Sequence, residues 1–520
     1  MGRHLLPGVD AYTQVVTVMA ETVLAAGDYA KLGTGGYVRR AADGVPLALQ
    51  NAASGVTPLV TPTPLETIGT AWGRTGFSAQ IFRSIVALDH GNFAVVYSGN
   101  GAQSDTGLNL RIYGALRVPI SSRLVVATGV GVVGARLTRA GADNLAIVWT
   151  EGAMLKLAIH SATTGGIVAS EVAVASLASS DVSNWNVATL SGGDVVVAYC
   201  KSGSNDFAFK RFNAAGALQG AEVGVEAGAS PTFIGVLALT SGGFVLHYYR
   251  YTATAAYKFA RFAANGAQQG GLTTLALGSP NRSVSPFERS AMELSNGNLG
   301  FVDPGSNTSA AVRLYDAAGN FLSTVLAATG AAGMPNTVCI CPRQFGGFWL
   351  TVGGQLYEFD NAGNGLRQSS VPSNTPFLLF DRPGTGPLMA VYLAGAFTTH
   401  LIGWNTELTM TEGITVDSLG YALSYAWFEV LSNGLVAGVN VGTPSFGAVR
   451  LSVSIPQASS ILGIAQESAV PGAQVRVATA GKFVTNQSFN GPAFDRRSAT
   501  PPGTRGVALG NTVILGGLAG

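Results

Sequence analysis

The chain has 520 residues, 47% of them apolar and only 11% charged, and its 69 glycines mark a turn-rich, all-β composition. The net charge is +2 and no run of Lys and Arg exceeds two residues, which excludes a basic stripe for nucleic acid and a polybasic patch for an anionic membrane. The most apolar internal run, Leu124 to Ala135, is short and broken by glycine, so no membrane insertion is expected.

At the N-terminus, Pro7 and Gly8 stand where a secretion signal needs its apolar core, so the mature chain is expected to start at or near Met1. Residues 1–72 read as an N-terminal β attachment region built around "VLAAGDYAKLGTGGYVRRA" from Val23. This segment has the form small-Gly-x-x-apolar-x-apolar, then a Gly turn, then aromatic-Val.

From residue 73 to 458 one phrase recurs at intervals of about fifty residues, a spacing that signals a repeat architecture. Each copy opens on a Gly-Gly or Asn-Gly turn followed by an apolar strand, as in "LSGGDVVVAYC" from Leu190, "LTSGGFVLHYYR" from Leu239 and "LSNGLVAGV" from Leu431. The turns fall at Gly91, Asp143-Asn144, Gly193, Gly243, Gly297, Gly347, Gly386 and Gly434, the weakest copy lying at 376–410. A later landmark is an alternating strand running into an Asx-Ala-Ala-Gly turn, as in "FKRFNAAGALQG" ending at Gly220 and "VRLYDAAGNFL" from Val312. The continuous apolar strand suits burial on both faces and the alternating one a place nearer the rim, while the turn glycine supplies the positive φ of a hairpin. Four such strands fit one period, so each copy is expected to be a blade of a seven- or eight-bladed β-propeller, in which radial packing removes exposed sheet edges. A strand from each chain end is expected to share one blade and close the ring.

Residues 459–520 read as a C-terminal small β module. Its segment "AVPGAQVRVATAGKFVTN" from Ala469 repeats the form seen at Val23, as though one hairpin unit is used twice. The stretch "ILGIAQESAVPGAQVRVATAGKF" from Ile461, the turn at Pro502-Gly503 and the closing "NTVILGGL" resemble the small β modules that terminate or decorate bacteriophage virion proteins, including tail and head fibres. The resemblance covers about sixty residues, the length of one small module. It implies a virion component made in the host cytoplasm and assembled with other virion proteins, as a homo-oligomer with rotational symmetry, a trimer ahead of a hexamer. It carries over no catalytic residues.

No motif for chemistry stands out. The five histidines, His4, His90, His160, His247 and His400, have no metal-ligand spacing, and His247 in "FVLHYY" reads as packed within a strand. Cys339 and Cys341 in "TVCICP" fall on one strand face and, with Cys200, read as small buried residues. The segments "DNAGNG" from Asp360 and "GNGAQSDTG" from Gly99 lack the full spacing of a calcium loop and read as turns. Arg211, Arg261 and Arg313 hold equivalent places in successive copies, which suits blade packing more than a substrate clamp. No nucleophile elbow or Walker loop occurs, and no cofactor is expected.

Aromatics beside polar residues are the remaining sign of a binding surface, because sugars stack on rings and hydrogen-bond to Asn, Asp and Arg. Trp185, Tyr248, Tyr249, Tyr251 and Trp427 are the candidates for contact with a host-surface glycan, a reading that stands behind packing between blades for any single ring. Arg39 and Arg40, with Arg496 and Arg497 in the matching terminal unit, are the candidates for attachment or oligomer contacts. The expectation is a non-enzymatic fibre protein, with a tail tube or nozzle component and a propeller glycan-active enzyme as alternatives.

Overall fold

A computed structural model describes residues 84–454 apart from 99–106, 115–118, 129–131, 180–183, 251–255, 278–288, 304–310, 327–337, 353, 372–375, 383–385, 394–397, 405–407, 409, 418–425, 432–435 and 442–447. Outside that span it describes the strands Gln14–Met19, Tyr29–Leu32, Val38–Arg40, Glu66–Thr70, Ile461–Ala465, Gln474–Val484, Arg505–Leu509 and Thr512–Gly516.

The described residues between 84 and 454 form an eight-bladed β-propeller of four-stranded antiparallel blades. Six blades are separate sheets, spanning 132–176, 185–226, 231–277, 291–326, 339–370 and 376–417 (blades 2 to 7). Blade 1 contains Ile85–Ala87, Phe93–Ser98, Leu108–Tyr113 and Leu124–Ala127, and blade 8 begins with Ala426–Val430, Val436–Val441 and Ala448–Ser454. The fourth strand of blade 8 is Glu66–Thr70, so the ring is closed by a strand from each end of the chain, as expected. The strand pairing between blades 8 and 1 is the single pair Thr70 and Ser98. The first strand of every blade lies innermost and adjoins the first strands of both neighbours, Ala426–Val430 meeting Ile85–Ala87 to complete the circle.

Burial follows the sequence pattern. Val195–Cys200, the second strand of blade 3, is buried at every residue, because its β-branched and aromatic side chains pack on blade 2 through one face and on blade 4 through the other. Outer strands are exposed, as in Gly365–Ser370 of blade 6. Each blade is a meander, so the turns from first to second strand and from third to fourth strand share one face of the ring, the turn face. The connections from second to third strand and from blade to blade occupy the opposite, loop face.

The tight glycine turns interlock the blades. In blades 3, 4, 5 and 6 the third-to-fourth-strand turn closes through Asn213, Ala263, Asp316 and Asp360, whose N–H groups donate to the carbonyls of Ala217, Ala267, Asn320 and Asn364. The turn glycine sits at positive φ against the preceding blade. Gly363, at φ +87°, faces Val325 of blade 5 so closely that a Cβ would fall 2.3 Å from Val325 Cγ2. Arg211 and Arg261 reach the same kind of turn from below, donating to the carbonyls of Ala264 and Ala318 in the next blade. Their packing role is as expected. Arg313 differs, pairing within its own blade with Asp303 at 2.7 Å.

The two chain ends do not form separate modules. Gln14–Met19 pairs antiparallel with Gln474–Ala480, and Tyr29–Lys31 pairs with Ile461–Ile464, so one sheet interleaves strands from both ends. The boundary at residue 72 therefore places Glu66–Thr70 with the wrong unit, since that strand belongs to blade 8. Tyr29–Leu32 and Val38–Arg40 do form the hairpin read from the first copy. In the second copy Gln474–Val484 is one unbroken strand through Gly481, because its distal half pairs with Thr512–Leu515 instead of turning back.

A turn substitution tests the interlock. Gly363→Ala is expected to cost about 2–4 kcal/mol, combining the left-handed backbone with overpacking on Val325. Gly152→Ala has a φ of +59° but open space around its Cβ, so it should cost only about 1–2 kcal/mol. Denaturant midpoints of the two variants compare the effects; equal losses would show that the turn carries no packing between blades.

Candidate functional site

Arg289 ends the blade-to-blade connection that enters blade 5, so its backbone lies at the loop-face end of the inner strand Ala291–Glu293. Its side chain leaves its own blade. The guanidinium lies 4.6 Å from the centre of the Phe380 ring in blade 7 and 5.3 Å from that of Trp427 in blade 8. It donates to the carbonyl of Leu379 at 3.3 Å and approaches Glu429 at 3.6 Å. Since the inner strands form a closed circle, a side chain from blade 5 reaches blades 7 and 8 only by extending into the central channel.

The site has a defined electrostatic order. Glu429 accepts the indole N–H of Trp427 at 3.0 Å, which orients the carboxylate toward Arg289. The Arg289 and Glu429 side chains are 24% and 21% exposed, so the pair remains open to solvent while both rings beneath it are buried. Cation–π contact and the carboxylate hold the guanidinium in place. Its remaining N–H donors can receive an anion in the channel.

Beside Arg289 in the chain, Ser290 joins a buried polar row. The Tyr257 hydroxyl lies 3.1 Å from His247 Nδ1 and 3.1 Å from Ser290 Oγ, linking blade 4 to blade 5. His247 and Ser290 are fully buried and Tyr257 almost so. Burial pulls the His247 pKa down to about 3, so the imidazole is neutral at physiological pH. At Gly235 on the adjacent strand a Cβ would lie 2.0 Å from His247 Nε2, so the glycine makes room for the ring. The row is buried where blades 4 and 5 pack together, in line with the reading of His247 within a strand.

The aromatic candidates for a binding surface are corrected by the fold. Trp185 and Tyr248 are 0% exposed, Tyr249 3% and Trp427 1%. Trp185 and Trp427 lie on inner strands, and Tyr248 and Tyr249 on the second strand of blade 4, where neighbouring blades cover both faces. Trp185 instead stacks under the buried Arg136, 5.0 Å from its ring centre, and the Tyr248 hydroxyl donates to Glu226. Tyr251, Arg496 and Arg497 lie outside the described residues. Arg39 and Arg40 lie on the strand Val38–Arg40, opposite Lys31 and Ala30.

The other polar candidates are occupied locally. Asp360 accepts the backbone N–H groups of Ala362 and Asn364 and the side-chain amide of Asn364, which close the turn and hold its pKa below the ordinary carboxylate value. Cys339 and Cys341 share the face of their strand that looks toward blade 7, and burial pushes the Cys339 thiol up to about 12. Among the described residues no group of His, Cys, Asp and Glu is placed to hold a metal ion. Sequence reading passed over Arg289 because it sits outside every repeated phrase; the one available signal was an arginine just before an inner strand.

No family model and no curated protein matches the chain. Among solved structures, the Dos1 propeller has 10% identity, covering 76% of this chain and 95% of its own, with a TM-score of 0.45. Polysaccharide lyase Uly1 has 10% identity over 84% of this chain and 99% of its own, with a TM-score of 0.43. Puromycin hydrolase has 13% identity over 74% of this chain, which spans only 62% of that enzyme, with a TM-score of 0.39. Likenesses this distant carry no argument about activity.

Two outcomes are expected. Arg289→Ala should lower stability by about 1–3 kcal/mol and change the Trp427 fluorescence, with Arg289→Lys between it and the wild type because a lysine keeps the charge without the planar stacking. Unchanged fluorescence in Arg289→Ala would contradict the stacking. For His247, the unfolded state takes up a proton near pH 6.5 and the folded state only near 3, so its stabilising contribution is complete above 6.5 and is lost as pH falls toward 3. His160 and His400, also lowered by burial, titrate in both proteins, so the thermal midpoint of His247→Gln should fall less than that of the wild type between pH 7 and 5. Parallel curves would mean that His247 is not buried as neutral imidazole.

Proposed function

We propose that this chain is a non-enzymatic structural component of a bacteriophage virion, a fibre protein that displays its eight-bladed ring for contact with the host surface. The observation that carries this reading is the terminal sheet. Both chain ends are committed to one sheet, Gln14–Met19 against Gln474–Ala480 and Tyr29–Lys31 against Ile461–Ile464, and the whole propeller is inserted between them. Such an insertion separates a mount from a displayed body.

The chemistry of the ring supports display more than catalysis. Carboxylates that might serve a reaction are engaged by neighbours: Glu226 receives Tyr248, Lys258 at 2.7 Å and Arg250 at 3.2 Å, and Glu358 receives Arg343 at 2.8 Å and Arg367 at 2.6 Å. With the candidate aromatics inside the blades, host contact falls to the loop face. That face receives the connections from blade to blade, and rigid scaffolds place recognition on such loops.

Deletion of residues 459–520 removes the C-terminal strands of the mount and leaves all eight blades with their strands. The truncated chain should stay soluble and give the β-rich circular dichroism of the ring, yet be absent from purified particles. Incorporation at the level of the full chain would refute the role of the terminal sheet in attachment.

A further inference from the structure

Phe233 stands on Pro231–Ala238, the inner strand of blade 4, with its backbone in the left-handed region at φ 53° and its side chain 44% exposed. A bulky residue rarely takes that conformation, and it persists only where the surroundings enforce it. Thr232 pairs with Tyr249 and Gly235 with His247, so Phe233 and Ile234 together stand against Tyr248 as a bulge. The buried Asn186 of blade 3 fixes this bulge, donating to the carbonyl of Ile234 at 2.7 Å. Ile234 keeps its place in the core between blades 3 and 4, and Phe233 is turned out of it. In blade 3 the inner strand pairs without a shift, and Trp185, at the matching place opposite Tyr199, is fully buried. The bulge therefore aims an aromatic ring at solvent, and on an innermost strand that solvent is the channel.

Arg289 enters the same end of the channel from the neighbouring blade. Ala291 pairs with Phe301, so Arg289 is level with Asp303 of Leu299–Asp303, as Phe233 is level with Tyr248 of Phe244–Arg250. Those are matching places in the two second strands. Among the described residues, the Arg289 guanidinium makes one hydrogen bond, to the Leu379 carbonyl at 3.3 Å, and meets Glu429 at 3.6 Å, beyond hydrogen-bond distance. A guanidinium has more N–H donors than these contacts use, and the rings of Phe380 and Trp427 hold it in place for a further acceptor. Glu429 restricts what that acceptor can be. Its charge disfavours a dianion such as phosphate or free sulfate beside the guanidinium and tolerates a single carboxylate, while its second oxygen can accept a hydroxyl.

We propose that the loop-face mouth of the channel binds an acidic oligosaccharide. A sugar carboxylate sits on Arg289 with a neighbouring hydroxyl on Glu429, and the face of another sugar in the chain lies on the ring of Phe233. Blade 4 lies across the ring from blade 8, so a ligand that touches Phe233 and Glu429 spans the channel, which calls for several linked sugars. The display role proposed above is used only for the source of such a chain, the host surface.

The test is calorimetric titration of the full chain with oligosaccharides of glucuronate, galacturonate, mannuronate and sialate, and with the same oligosaccharides after reduction of their carboxyl groups to alcohols. At least one acidic form should bind, and its reduced form should bind at least about tenfold more weakly. Phe233→Gly separates recognition from packing. Glycine takes the left-handed backbone freely, so the thermal midpoint should hold or rise while affinity for the acidic form falls by about tenfold. Arg289→Lys keeps the charge without the planar fork and should lose a similar factor. No binding of any acidic form at millimolar concentration, equal binding of the acidic and reduced forms, inorganic sulfate bound as tightly as the oligosaccharide, or unchanged affinity in either variant overturns the proposal. If Phe233→Gly fails to fold, Phe233→Asn, which also tolerates this backbone, decides by the same affinities. A chain that binds the sugar but is absent from purified particles would refute the display role and leave the site standing; a chain present on particles that binds none of these sugars would refute the site alone.

Discussion

Everything in this molecule depends on a strand of five residues. Glu66–Thr70 supplies the outer strand of blade 8, whose other three strands come from the far end of the repeats. A four-stranded blade is marginal alone; it is held because each face packs on a neighbour, and a ring gives every blade two neighbours only when it closes. The inner strands Ala426–Val430 and Ile85–Ala87 make that closure at the channel, and Glu66–Thr70 completes it at the rim. The core formed by Phe93, Tyr113, Leu388, Trp427 and Phe428 spans the seam between blades 7, 8 and 1, so closure is an apolar interface as well as a strand pairing. The same two ends of chain pair a second time in the terminal sheet, which ties their positions to the integrity of the ring.

Closure leaves two unlike faces. On one, glycine at positive φ lets each turn rest directly on the blade before it, and arginines at 211 and 261 bind the next turn's carbonyl. Short turns under that constraint tolerate little change. On the other, the connections are free to vary in length, and from one of them Arg289 extends into the channel to meet Phe380, Trp427 and Glu429. The difference follows from geometry: the turns of the first face are fixed by the blades they rest on, and the connections of the second are not.

Much of the ring was legible in the sequence because its strands and turns are local. The period, the apolar second strands such as Val195–Cys200 and the Asx-Ala-Ala-Gly turns each report the conformation of a few neighbouring residues. What failed was long-range. "ETIGT" carries no copy of the repeated phrase, and nothing in five residues shows a partner at Ala448–Ser454. Polar neighbours in sequence make Trp185, Tyr248, Tyr249 and Trp427 candidates for a surface, whereas radial packing buries both faces of the strands that hold them. Gly481 looked like a turn for the opposite reason: the local pattern matched Gly35-Gly36, but pairing with Thr512–Leu515 keeps the second copy straight. Arg289 was invisible because its partners lie two and three blades away.

The central claim is that the chain is mounted through the sheet its ends share and presents its loop face outward. Electron cryo-microscopy of the intact particle tests this most directly, since it gives position, orientation and symmetry in one reconstruction. The account predicts density for the terminal sheet against the particle, with the eight-bladed ring beyond it and a loop face free to solvent. A ring embedded in the particle wall with its loop face covered, or particles without this chain, would contradict it.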